Sequence, residues 1–165
     1  MFDVSIATPL RCSRRLRALT LALAWWLVPG PVVRAHAQDS GEDALWSRLR
    51  RLENAFRQGD ATALRLASPS SGKVRLDLSP WTEGPTSYGP GQLQGVFAQV
   101  FGARRTQTFS FPREDVTVSR EGTAFARGRW VWAPPAGEAQ TAETLVFSLR
   151  CEGADWRVQE IRRAR

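Results

Sequence analysis

Leu52-Glu53-Asn54-Ala55-Phe56-Arg57-Gln58-Gly59-Asp60-Ala61 is the stretch whose reading decides the fold. It ends one helix, takes a two-residue step and starts another. Upstream of it Leu45, Leu49, Leu52 and Phe56 recur at i, i+4, i+7 and i+11, which makes one apolar helix face. Ser40-x-x-Asp43 is the expected capping box at the start of that helix. Gly59 ends it, because a left-handed residue after a helix costs glycine no steric penalty. Asp60 then caps a short second helix over residues 61–67, its carboxylate accepting from the free amides of the first turn.

The pattern continues on the C-terminal side. Residues 68–72 read as a loop, and residues 73–78 alternate, with Val74, Leu76 and Leu78 on one face and Lys73, Arg75 and Asp77 on the other. Residues 79–91 are rich in proline and glycine and carry Trp81 and Tyr88. Leu93, Val96, Phe97, Val100 and Phe101 form a helical stripe, with Pro90 suited to its first turn and Gly102 to its end. Strand patterns follow at 105–111, 116–119, 123–133, 143–151 and 156–161, separated by turn-forming segments, which predicts an antiparallel meander. This order implies a small α+β fold with a curved sheet and a helix-lined mouth.

The chain has 165 residues, enough for one domain plus a targeting segment. Residues 1–37 are expected to be a signal peptide. Arg11, Arg14, Arg15 and Arg17 form a basic start, Ala18 to Val28 an apolar core, and Ala35-His36-Ala37 a small-x-small cleavage site. The apolar core is shorter than the roughly 18–20 residues of a spanning helix, although an uncleaved anchor or a buried helix is the alternative. Residues 38–165 then form a single exported domain, periplasmic or secreted, with no membrane span. Cleavage would remove His36, the one histidine, and Cys12, which leaves Cys151 as the one cysteine. No internal disulfide, metal or other cofactor is therefore expected in the cleaved chain, and Cys151 reads as a buried small hydrophobe, with a reactive or cross-linking thiol as the alternative. The precursor carries 23 Lys+Arg against 16 Asp+Glu; the leader takes five arginines and Asp3 with it, leaving 18 against 15. A net charge of +3 argues against a nucleic-acid partner.

The helix, Gly-Asp step and second helix quoted above, Val74-Arg75-Leu76-Asp77-Leu78, Tyr88 before the third helix and the closing Trp156-Arg157-Val158-Gln159-Glu160-Ile161 together resemble the nuclear transport factor 2-like superfamily. This is the cystatin-like α+β cone shared by ketosteroid isomerase, polyketide cyclase-like proteins and many binding proteins. Within it the chain is similar to short exported bacterial domains of unknown function. The resemblance covers most of residues 44–162. It implies three N-terminal helices packed on a strongly bent antiparallel sheet, a cone-shaped α+β roll, often with a pocket between helices and sheet. The fold hosts many functions and licenses none of them.

Candidate ligand-binding residues are Trp81, Tyr88, Phe97, Phe101, Trp130 and Asp77. The aromatic side chains come from segments that would roof or floor the cone, and binding pockets are usually apolar with a few polar groups. Core packing is the plainer role for the same rings. Asp77 is a carboxylate that faces either a pocket or solvent, and Tyr88 could donate to an oxyanion or pack at the mouth. Gly128, on the face of Trp130, either leaves room for a ligand or marks a bend in the sheet. No catalytic set is assigned. The expected function is an exported small binding or interaction domain, non-enzymatic, with a small apolar ligand or a protein as partner. The alternatives are an isomerase- or cyclase-type enzyme using a pocket carboxylate or tyrosine, and a structural homodimerisation module acting through the sheet face. The final Arg162-Arg163-Ala164-Arg165 reads as a frayed, solvated tail.

Overall fold

A computed structural model of the chain describes residues 35–137 and 139–164. The expected signal segment lies almost entirely outside the described residues. Among those described, no helix is long and apolar enough to cross a membrane.

Helix α1 (Ala35–Gln58) starts upstream of the expected cap at Ser40 and buries Leu45, Leu49, Leu52, Ala55 and Phe56 on one face. It ends as the sequence implies: Gly59 has φ of 66°, and the Asp60 amide donates back to the Ala55 carbonyl at 2.8 Å. Asp60 caps α2 (Ala61–Ala67), accepting from the Thr62 and Ala63 amides at 2.9 and 3.1 Å. Helix α3 (Pro90–Ala103) opens on proline, with the Gln92 side chain accepting from the Gly89 amide at 3.0 Å. Leu93, Phe97 and Val100 form its buried face.

The strands are β1 (Val74–Asp77), β2 (Thr86–Tyr88), β3 (Arg105–Ser110), β4 (Val116–Val118), β5 (Thr123–Ala133), β6 (Thr141–Glu152) and β7 (Asp155–Arg163), with a short 3-10 turn at Arg113–Asp115 before β4. They form one sheet in the order β2-β1-β7-β6-β5-β3, and β4 shares the outer edge of β5 with β3. β5, β6 and β7 are the expected meander. The sheet is mixed, however: β1 runs parallel to β7, pairing Leu76 with Ile161. A parallel neighbour arises because the chain leaves β1 for the helical layer and returns at the far edge, so the last strand closes beside the first. β2 lies in the segment read as loop. Three residues between proline-rich stretches give no alternation to detect, and their pairing with Val74, Arg75 and Leu76 holds them extended. Register shifts between Thr106 and Thr108 in β3 and beside Ser148 and Leu149 in the β6–β7 pair curve the sheet.

The concave face carries Val74, Leu76, Ala124, Ala126, Trp130, Leu145, Phe147, Leu149, Val158 and Ile161, all buried under the helices. The β6–β7 turn is tied to α1. Arg48, buried on the helix, bonds Asp155, which also pairs with Arg157 at 3.0 Å, and the Trp156 indole donates to the Gly41 carbonyl at 3.0 Å. Burial works to raise the Asp155 carboxyl. The Arg48 bond, the charges of Arg48 and Arg157 and the Trp156 amide outweigh it and hold the group below its ordinary value.

Two smaller expectations change. The C-terminal segment is not a frayed tail, because β7 runs to Arg163 and the Ala164 amide donates to the Thr144 carbonyl at 2.8 Å. Cys151 is half-buried rather than buried, and it is not a free thiol. The other cysteine of the sequence, Cys12, lies outside the described residues.

Candidate functional site

The interior of the cone is filled by aromatic rings. Phe56, projecting from the last turn of α1, stacks on Phe109 of β3 with centroids 4.1 Å apart. It meets Phe101, Trp130, Phe97 and Phe147 edge-on at 5.3 to 5.9 Å. Phe109 in turn meets Phe111 at 5.1 Å. Such contacts add specific geometry to a large apolar burial. Gly128 belongs to this arrangement. A Cβ there would lie 2.4 Å from Phe109 Cζ and 3.0 Å from Phe111 Cε1. The space that glycine leaves is therefore taken by this chain's own rings and not by a ligand.

The aromatic core gives way to polar groups at the mouth of the cone. Arg104, just past the end of α3, lays its guanidinium over Trp81 of the β1–β2 connection at 4.2 Å and over Trp132 of β5 at 5.0 Å. Glu143 of β6 lies across from Trp130 in the ladder, on the concave face, and its side chain is 6% exposed. Its Oε1 accepts from Arg163 Nη2 at 3.1 Å, and Arg163 also donates to the Ser79 carbonyl at 3.3 Å and approaches Trp81 at 5.8 Å. Burial pushes the Arg104 guanidinium below its ordinary value; Glu143 opposes the shift and Arg163 adds to it. The group nevertheless stays a cation at any ordinary pH. Buried in this cluster, without a hydrogen-bond partner, are Arg104 Nε, Trp132 Nε1 and Glu143 Oε2. The neighbouring Trp130 indole is satisfied, donating to Thr106 Oγ1 at 2.9 Å.

A cleft of about 580 Å³ lies beside Arg104, lined by Arg57, Gln58 and Gly59 of the α1–α2 step, by Phe101, Gly102, Arg104, Arg105 and Thr106, and by Pro135 of the β5–β6 connection. Its charged lining residues are Arg57, Arg104 and Arg105. Arg57 has a loose 3.4 Å pair with Glu53.

The residues singled out from sequence distribute unevenly over this site. Trp81, beneath Arg104, meets the buried Trp130 edge-on at 5.4 Å, and Phe101 lines the cleft. Phe97 is fully buried behind Phe56 and packs on the neighbouring helix layer. Tyr88 lies at the β2 edge opposite Val74, half-buried against the core. Asp77 points away from the interior, on the face opposite Leu76 and Leu78. Arg104, Glu143, Arg163, Arg57 and Arg105 were not among the sequence candidates. Glu143 had a readable signal: it shares the strand parity of Leu145, Phe147 and Leu149, which puts a carboxylate on the buried face.

No protein-family model and no curated protein sequence matches the chain. Solved structures do. A DUF4783 family protein from Bacteroides uniformis superposes with a TM-score of 0.56 at 16% identity, covering 70% of this chain and 94% of that one. An NTF-2 like protein of unknown function from Shewanella oneidensis gives 0.57 at 12% identity, covering 75% and 98%. A domain of unknown function with a cystatin-like fold from Nostoc punctiforme gives 0.58 at 13% identity, covering 76% and 77%. At these identities the likeness is one of fold.

Proposed function

The chain has the nuclear transport factor 2-like fold, and we propose that it is an exported, non-enzymatic domain that binds a small ligand at the mouth of the cone. The observation that carries this reading is the cleft beside Arg104, an opening of ligand size lined by three arginines, one of which keeps a buried Nε without a partner. Buried donors and acceptors are normally paired, so a cluster that departs from this calls for an explanation such as a bound molecule. Because aromatic rings fill the interior, this reading puts the ligand at the rim of the cone and not at its centre.

An isomerase- or cyclase-type activity has weaker support. Asp77 lies on the outer face, Tyr88 packs at the sheet edge, and Glu143 already holds an ion pair with Arg163. Dimerisation through the outer sheet face is likewise less favoured. Phe125 is 48% exposed there, but the surrounding Arg127, Arg162, Glu114 and Asp115 leave little apolar surface for self-association.

Export is tested by N-terminal sequencing of protein recovered outside the cytoplasm, expected to begin near Gln38; an intact precursor held in the membrane contradicts it. Binding is tested by a fragment screen read as thermal stabilisation, run in parallel on Arg104→Ala. Hits that lose their effect in the variant support the mouth as the site. Hits indifferent to it place binding elsewhere.

A further inference from the structure

We propose that the ligand of the mouth cleft is a compact organic carboxylate with a flat apolar body; this rests on the mouth being the binding site. The charged groups lining the cleft are Arg57, Arg104 and Arg105. Their bonding capacity is largely unspent. Among the described residues Arg104 and Arg105 enter no ion pair, and Arg57 makes only the long contact to Glu53. Arg104 and Trp132 face one another at 5.0 Å with Nε and Nε1 both buried and both lacking an acceptor. Three guanidinium groups on one cleft call for a planar anion, since a guanidinium and a carboxylate match in geometry and charge-assisted bonds are the strong ones.

The walls specify the rest of the molecule. Phe101 and Pro135 line the cleft, and Arg104 stacks over Trp132, so a bare inorganic anion would leave apolar surface uncovered. Glu143 sets a limit on placement. Its Oε1 is committed to Arg163 and its Oε2 is an unsatisfied acceptor, so the ligand's carboxylate lies on the cleft side of Arg104.

The test uses the full exported protein with benzoate, its neutral amide benzamide and inorganic phosphate, each titrated while the indole N–H signals are followed by NMR. The account expects benzoate to shift the Trp132 and Trp81 signals saturably, and benzamide and phosphate to bind about tenfold more weakly or not at all. Exposed Arg105→Ala should weaken benzoate by about tenfold without altering the fold, as should raised salt. Arg104→Lys keeps the charge but loses Nε and the planar fork, and should weaken it similarly. Equal binding of benzamide, or indifference to the arginine variants, overturns the carboxylate assignment while leaving the mouth as a binding site. Phosphate binding as well as benzoate removes the apolar body. If no fragment of any charge moves the Trp132 or Trp81 signals, the binding site itself is wrong.

Discussion

Substituting Gly128 with alanine tests whether the interior is as full as the ring contacts imply. The new Cβ would meet Phe109 Cζ at 2.4 Å, about 1 Å short of the 3.4 Å at which ordinary contact begins, and Phe111 Cε1 at 3.0 Å. Phe109 cannot retreat cheaply. It stacks on Phe56 at 4.1 Å and is edged by Phe111 and Phe147 at 5.1 and 6.1 Å, so moving it disturbs the centre of the cluster. Overpacking of this kind typically costs about 1–3 kcal/mol, and a locked ring puts Gly128→Ala in the upper part of that range. With a urea slope of about 1–3 kcal/mol per molar for a small domain, the midpoint should fall by about 1 M. The assay is equilibrium urea unfolding followed by tryptophan fluorescence. An unchanged or raised midpoint would refute the reasoning, because it would mean that the rings have empty space beside them and that the cone holds a cavity after all.

Other changes separate core, surface and charge. Phe56→Ala removes the ring on which the cluster converges and should cost about 3–5 kcal/mol, as should Phe97→Ala, read as a fall in denaturant midpoint. Against a total of roughly 5–15 kcal/mol, either loss is large. Gly95→Ala in α3 meets nothing within 4 Å and should raise stability by about 0.5–1 kcal/mol in the same experiment. Asp155 is held below its ordinary value, so its contribution is complete above the unfolded carboxyl pKa of about 3.9 and is lost as pH falls through the folded value. Asp155→Asn should therefore lower stability at neutral pH and flatten the acid limb of a stability–pH curve. An acid limb as steep as that of the wild type would mean that another group carries it.

Much of the fold was legible because its signals are local. The Gly59-Asp60 step, Pro90 at the start of α3 and the alternation of β5 each act through one turn or one strand face, and each element lies where its residues imply. The parallel β1–β7 pair and the short β2 depend on where distant segments meet, which no spacing in the chain records. The candidate site was half legible for the same reason. Aromatic side chains announce a core or pocket, and Trp81 packs on the buried Trp130. The charges that give the site its chemistry were hidden. Arg104 follows a helix end and Arg163 was read as tail, and only the closure of β7 against β6 brings Arg163 to Glu143. Asp77 lies where the alternation puts it, opposite Leu76, whose face the helices cover.

Indole N–H NMR during a fragment titration tests the central claim most directly, since the tryptophans mark different parts of the molecule. Trp81 and Trp132 lie under Arg104 at the mouth, whereas Trp46 lies on α1 beside Glu42 and Arg113. The account predicts fragments that shift the Trp132 and Trp81 signals together, leave Trp46 unmoved, and lose this effect in Arg104→Ala. Fragments that shift Trp46 while the mouth signals stay fixed would contradict it.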